Sequence, residues 1–208
     1  MSLPKLSVLL VNLFLLFVAA AQDTTLQRLQ RMKDDTLKVK AYTDYAITFY
    51  DTDPQKALSI FEEVVKIGQK AGHPYSIGQA WIDIGSMQAQ QARDQAAVES
   101  FKNAIPFFRQ INRIDKVAAC MLNIGACAER FGDIDGRIRS TMEAVTLLEK
   151  TEHKKLLAHG YTSLGITFFN QDDFARAKPY FEKGLAAARQ VRDTANQVQA
   201  LFGLSNCA

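Results

Sequence analysis

Three glycines stand in one register: Gly85 in "WIDIGSMQ", Gly125 in "MLNIGACA" and Gly165 in "YTSLGITF" follow one another at forty-residue intervals. Self-similarity at a fixed period constrains a fold more tightly than composition does. Each copy is one supersecondary unit that cannot bury its apolar face alone and must stack on its neighbours. Five further columns keep the register. Four residues before each glycine stands Trp81, Met121 or Tyr161, and one before stands Ile84, Ile124 or Leu164. Twelve after comes Ala97, Arg137 or Ala177; sixteen after, Phe101, Thr141 or Phe181; nineteen after, Ala104, Ala144 or Gly184. An upstream copy keeps Tyr42, Tyr45, Ala46, Phe49, Ala57 and Phe61 with a turn one residue shorter, and a partial copy at the other end keeps Leu201, Leu204 and Ser205.

Each copy reads as two amphipathic helices, because its apolar residues recur at helical spacing on either side of a turn. The turns are "DTDP" (51–54), "ARD" (92–94), "FGDIDG" (131–136) and "NQDD" (170–173). Asp53 before Pro54 predicts a helix N-cap with proline at the first helical position, where its missing N–H costs nothing. Gly72 and Gly132 predict C-terminal stops.

These columns resemble the tetratricopeptide repeat, whose first helix carries a large residue, Leu-Gly and an aromatic, and whose second carries Ala, a large aromatic and another small residue. Tyr161, Leu164, Gly165, Phe168, Ala177, Phe181 and Gly184 fit best. The second repeat has Gln88 in place of the aromatic. The third has Arg137 and Thr141 where small and aromatic residues belong, so its second helix is expected to pack most weakly. The family period is about 34 residues; the longer one here implies longer helices. The resemblance implies an all-α, right-handed α-solenoid with repeats at about 35–73, 74–113, 114–153 and 154–193, and a partial repeat or capping helix at 194–208. Residues 22–34 are left as a lead-in helix or linker. Glycine at each helix crossing is read as structural: it loses about 1 kcal/mol of helix propensity relative to Ala and lets the backbones approach so that Phe and Leu interlock.

The first residues, "MSLPKLSVLLVNLFLLFVAAAQD", place one cation before an apolar run and three alanines, the layout of a secretory signal peptide at 1–21 cleaved before Gln22. The run is short of the roughly 20 apolar residues a membrane span needs. The mature chain is therefore expected to be periplasmic or secreted, with no membrane segment. Removing Lys5 takes the 25 basic residues to 24 against 22 acidic ones, and they are spread rather than massed. That excludes the footprint of a nucleic-acid binder. Cys120 and Cys127, seven residues apart on one helix, are about 10 Å from each other, too far for a disulfide. The cysteines read as small buried hydrophobes.

No catalytic or metal-binding constellation appears. The three histidines, His73, His153 and His159, are isolated, and "DIDG" (133–136) lacks the closing Glu of a calcium loop because Ala144 stands there. No cofactor is expected. Repeat arrays bind, and in this family the first helices line the inner surface. The resemblance assigns a peptide-binding groove to Gln79, Ile82, Ser86 and Gln90; to Leu122, Asn123, Ala126 and Arg130; and to His159, Thr162, Ser163, Ile166 and Asn170. Among the positions that clamp a C-terminal carboxylate in one subfamily only Asn123 matches, which argues against chaperone-tail binding. Two functions are consistent with this pattern: an exported, non-enzymatic scaffold for a protein or peptide, or the sensory input part of a membrane-bound signalling protein. The last helix is expected to cap repeat four by burying Leu201 and Leu204, and to leave an apolar end, including Phe202, open to self-association.

Overall fold

The computed structural model describes residues 24–207. The signal peptide and its cleavage point before Gln22 lie outside the described residues. After a short helix at 24–30 come α1 (Thr36–Ile47), α2 (Pro54–Ala71), α3 (Pro74–Gln90), α4 (Asp94–Gln110), α5 (Ile114–Arg130), α6 (Ile134–Leu148), α7 (Lys154–Phe169), α8 (Phe174–Gln190) and α9 (Thr194–Asn206). No strand occurs among the described residues. Each helix packs on the next, and the odd-numbered first helices also meet directly, α5 with α7 and α7 with α9. The result is an all-α solenoid of helix pairs.

Its turns recur every half repeat. A left-handed backbone ends a helix at Gly72, Ala92, Asn112, Gly132, Asp172 and Arg192, with φ between 53° and 86°. The following N–H then bonds to the carbonyl five residues back, as in His73 to Gly68, Arg93 to Gln88, Arg113 to Phe108, Asp133 to Ala128, Asp173 to Phe168 and Asp193 to Ala188. This Schellman closure satisfies a carbonyl the helix end would leave bare. The residue that makes the bond is already the N-cap of the next helix. Asp53, Asp133, Asp173 and Asp193 accept from the backbone N–H three residues on. Two turns close differently, with a right-handed residue after the helix: the one after α1, at Thr48, and the one after α6, which stops at Leu148.

The forty-residue glycines sit where each first helix crosses its second. A β-carbon on Gly165 would stand 2.6 Å from the Phe181 ring, on Gly85 2.9 Å from Phe101, and on Gly125 2.8 Å from the Thr141 hydroxyl. Phe181 and Phe101 are buried by that approach. In repeat three a polar arrangement replaces the aromatic ring. Arg137 is buried, ion-paired with Glu129, and donates its Nε–H to Thr167 Oγ1 at 2.5 Å. With Thr141, Ala144 and Leu148 also buried, α6 packs through these residues, although at 15 residues it is two shorter than α4.

The capping helix differs from expectation. Its buried residues are Asn196, Ala200 and Gly203, with Gly203 set against the Phe181 ring, while Leu201 is 48% exposed and Leu204 only partly covered. Leu201 therefore does not seal repeat four. The small residues Ala200 and Gly203 form the seam because the aromatic ring of the neighbouring helix already fills the space. Phe202 points outward at 70% exposure, beside Val198 at 65%.

Gly165→Leu is expected to lower stability by roughly 1–3 kcal/mol, since a side chain there must push α7 and α8 apart. Ser86→Ala, next to the equivalent Gly85 but half-open to solvent, should change little. Denaturant melts compare them, and equal losses would contradict this register.

Candidate functional site

A helix of 3.6 residues per turn that packs on its own partner and on both neighbouring first helices has one stripe left open. Four columns form that stripe: Gln79, Ala119 and His159; Asp83, Asn123 and Ser163; Ser86, Ala126 and Ile166; Gln90, Arg130 and Asn170. All twelve side chains are exposed or half-exposed. Three expected groove residues are not among them. Leu122 is buried beside Gly160 of α7, and Thr162 is fully buried against Gly184 of α8. Ile82, in their column, is half-buried against the core. One residue along a helix is a rotation of 100°, enough to carry this column from the open face into the wall between helices.

Asp83 is the residue that sequence reasoning missed. It shares a column with Asn123 and Ser163, so the forty-residue register carried the signal; the family's groove pattern directed attention to Ile82 instead.

Hollows run between successive first helices. One of ≈170 Å³, between α1 and α3, is lined by Val39, Lys40, Thr43, Tyr75, Ser76, Gln79, Ala80 and Asp83. A second, of ≈210 Å³ between α3 and α5, holds Ser86, Asn123, Ala126 and Arg130. A third, of ≈260 Å³ between α7 and α9, holds Ile166, Asn170, Gln199 and Phe202. The structure thus brings the remaining expected residues onto one face, where Gln79, Ser86, Asn123, Ala126, Arg130, Ile166 and Asn170 line separate hollows rather than one pocket.

Several of these groups are already engaged. Arg130 is ion-paired with Asp94 at the start of α4, which holds that carboxyl below its usual range. Gln79 donates to Asp83 Oδ1 at 3.1 Å and accepts from Lys116 Nζ at 3.0 Å. Burial pushes the Asp83 carboxyl up to about 6, outweighing the pull of Gln79 and Lys116. His159 is open to solvent at its edge yet crowded by protein, and that crowding, with the Arg137 cation, holds its imidazole below the ordinary value. Asn123 is exposed, with both an amide donor and an acceptor to offer.

Among the described residues no cluster of three or more His, Cys, Asp or Glu is placed to hold a metal ion. None of the described helices is long and apolar enough to cross a membrane. Cys120 and Cys127 are free and buried, and burial pushes the Cys120 thiol up to about 12, which leaves it unreactive.

Residues 158–191 match the tetratricopeptide repeat family. The span runs from the middle of α7 through α8, the pair built around Gly165 and Phe181. That segment is a tetratricopeptide repeat, and the helix pairs on either side of it stack in the same all-α manner. It is 20% identical over 169 residues to tetratricopeptide repeat protein 29 of Trypanosoma brucei brucei (strain 927/4 GUTat10.1), covering 80% of this chain and 35% of that protein. The chain thus spans about a third of the curated relative it matches. The solenoid superposes on BtubC (BKLC) from P. vanneervenii with a TM-score of 0.74 at 18% identity, over 90% of this chain and 80% of the other. It superposes on a Rap protein complexed with Competence and Sporulation Factor with a TM-score of 0.69 at 16% identity, over 87% and 54%.

In this repeat array Asp83 is held at a cost to stability. Its folded pKa lies above its unfolded value, so the folded state holds the proton more tightly. Stability therefore falls as pH rises from about 4 to about 6. Asp83→Asn, which keeps the acceptor for Gln79, is expected to stabilise the protein by about 1–2 kcal/mol at pH 7.5. The gain should vanish below about pH 4. Thermal melts at the two pH values check it, and a destabilised variant at pH 7.5 would refute it.

Proposed function

We propose that the chain is a non-enzymatic scaffold that holds an extended segment of a partner protein along its first-helix face. One observation carries this reading: Asp83, Asn123 and Ser163 form a polar column that stays open along three repeats, flanked by Ala126 and Ile166. An extended backbone needs alternating donors and acceptors, which amide and hydroxyl groups supply, while its side chains need apolar or shaped hollows between the helices. The complex of a Rap protein of the same fold with Competence and Sporulation Factor supports such a use of the architecture.

Asn123→Ala should then weaken binding roughly ten-fold, equivalent to about 1.4 kcal/mol, without unfolding the protein. Lys183→Ala, on α8, should leave binding unchanged. A peptide-array screen followed by titration of the best hit against both variants measures this. Equal loss from the two would move the site off the first helices and favour the sensory arrangement, in which a partner docks on the outer face.

The protein is further proposed to act outside the cytoplasm, on the basis of the leader-like residues 1–21. It is also proposed to pair with a second copy through α9, which presents Val198, Leu201 and Phe202 and carries no charged residue, so that self-pairing meets no like-charge repulsion. Material recovered from outside the cytoplasm should begin at Gln22 by mass spectrometry and sediment as a larger species with rising concentration. An intact Met1 would sink the first proposal; a strictly monomeric species would sink the second.

A further inference from the structure

We infer that the hollow between α1 and α3 receives one cationic side chain of the bound segment, a lysine or arginine, with the Asp83 carboxylate as its counter-ion. This rests on the reading of the first-helix face as a peptide-binding surface and specifies the partner's chemistry there. Asp83 lies on the open stripe of α3, at the wall of a space of ≈170 Å³ that suits a single long side chain. Oδ1 accepts from the Gln79 amide at 3.1 Å, and among the described residues no lysine or arginine is ion-paired with the carboxylate.

The nearby cations are committed elsewhere. Lys116 donates to Gln79 Oε1 at 3.0 Å and lies over the Tyr75 ring at 5.8 Å. Lys40, across the hollow, is paired with Asp44 at 2.8 Å. The Thr43 hydroxyl donates to Val39 O at 3.0 Å, which leaves its oxygen able to accept a second donor from a ligand. A partly desolvated carboxylate without a cation is unfavourable, and an incoming ammonium or guanidinium relieves that while the stem of its side chain lies along Val39 and Ala80. An acidic side chain would be repelled by Asp83, and a neutral one would gain at most a hydrogen bond without balancing the charge. That discriminates among segments that the polar column alone would accept equally.

The same geometry makes binding depend on pH. The groups facing Asp83 are Lys40 from α1, Tyr50 beyond it, Tyr75 and Gln79 of α3, and Lys116 from α5. The ionised carboxylate is the binding form. With a free-protein pKa of about 6, affinity should hold above that value and fall about ten-fold by pH 5.

The test is a positional-scanning library of N-acetylated peptides presented to the purified protein at pH 7.5 and pH 5. Lysine or arginine should be selected at one position, with that preference lost about ten-fold in Asp83→Asn and, for the unmutated carboxylate, at pH 5. The variant should show no pH dependence at that position and should keep the apolar preferences at the others. As a second readout, carbon-13 NMR titration of the Asp83 carboxyl should show its pKa lowered when the selected peptide is bound; an unmoved pKa overturns the inference. Peptides that bind and weaken with Asn123→Ala but show no cation preference, or one untouched by Asp83→Asn, overturn the cation receptor and leave the peptide face standing. A library with no Asn123-dependent binding overturns both.

Discussion

The Phe181 ring rests on the bare backbone of Gly165 and, on its other side, against Gly203, and the rest of the array depends on that kind of contact. A ring seated on a glycine sets how closely two helices approach, and the approach sets how the next pair stacks. Repeat two uses the same device with Phe101 on Gly85. Repeat three keeps the close approach with Thr141 in place of the ring and fills the remaining space with the Arg137 guanidinium, ion-paired to Glu129 and hydrogen-bonded to Thr167. A buried arginine is tolerated there because it has partners from two other helices, whereas an unpaired one would cost several kcal/mol.

Stacking at this spacing requires tight turns, and the chain meets that need with one backbone geometry at six of the eight turns between α1 and α9. Ala92 and Arg192 adopt the left-handed conformation that glycine takes freely, at a cost of about 1–2 kcal/mol each. The cost is met by the carbonyl satisfied in the Schellman bond and by the helix pairing it permits. Because first helices then fall side by side, the residues one pair cannot bury become a continuous stripe. The open face is thus a consequence of packing, and the hollows along it are the spaces left between cylinders.

Asp83 departs from the economy of the rest. Its burial raises its pKa to about 6 and works against stability at neutral pH. Asn123 and Ser163, in the same column, carry no charge to desolvate. The Gln79–Lys116 link beside it does not neutralise it directly, and that charge is the one the proposed cation of the bound segment would balance.

The helix pairs, their length, the N-cap at Asp53 and the reason for Gly165 were legible in the sequence, because they depend on local periodicity and on a register that repeats. The left-handed turns at Ala92, Asn112, Asp172 and Arg192 were not, since none is glycine and the geometry is imposed by the helices on either side. Nor was the fate of Leu122, Thr162 and Leu201. All three are apolar or neutral residues on amphipathic helices, and a rotation of 100° decides between wall and open face. Only the packed neighbours Gly160, Gly184 and Phe181 fix that rotation. The charge of Asp83 was written in the sequence, but its shifted ionisation arises from α1, α3 and α5 meeting around it, which only the tertiary structure brings about.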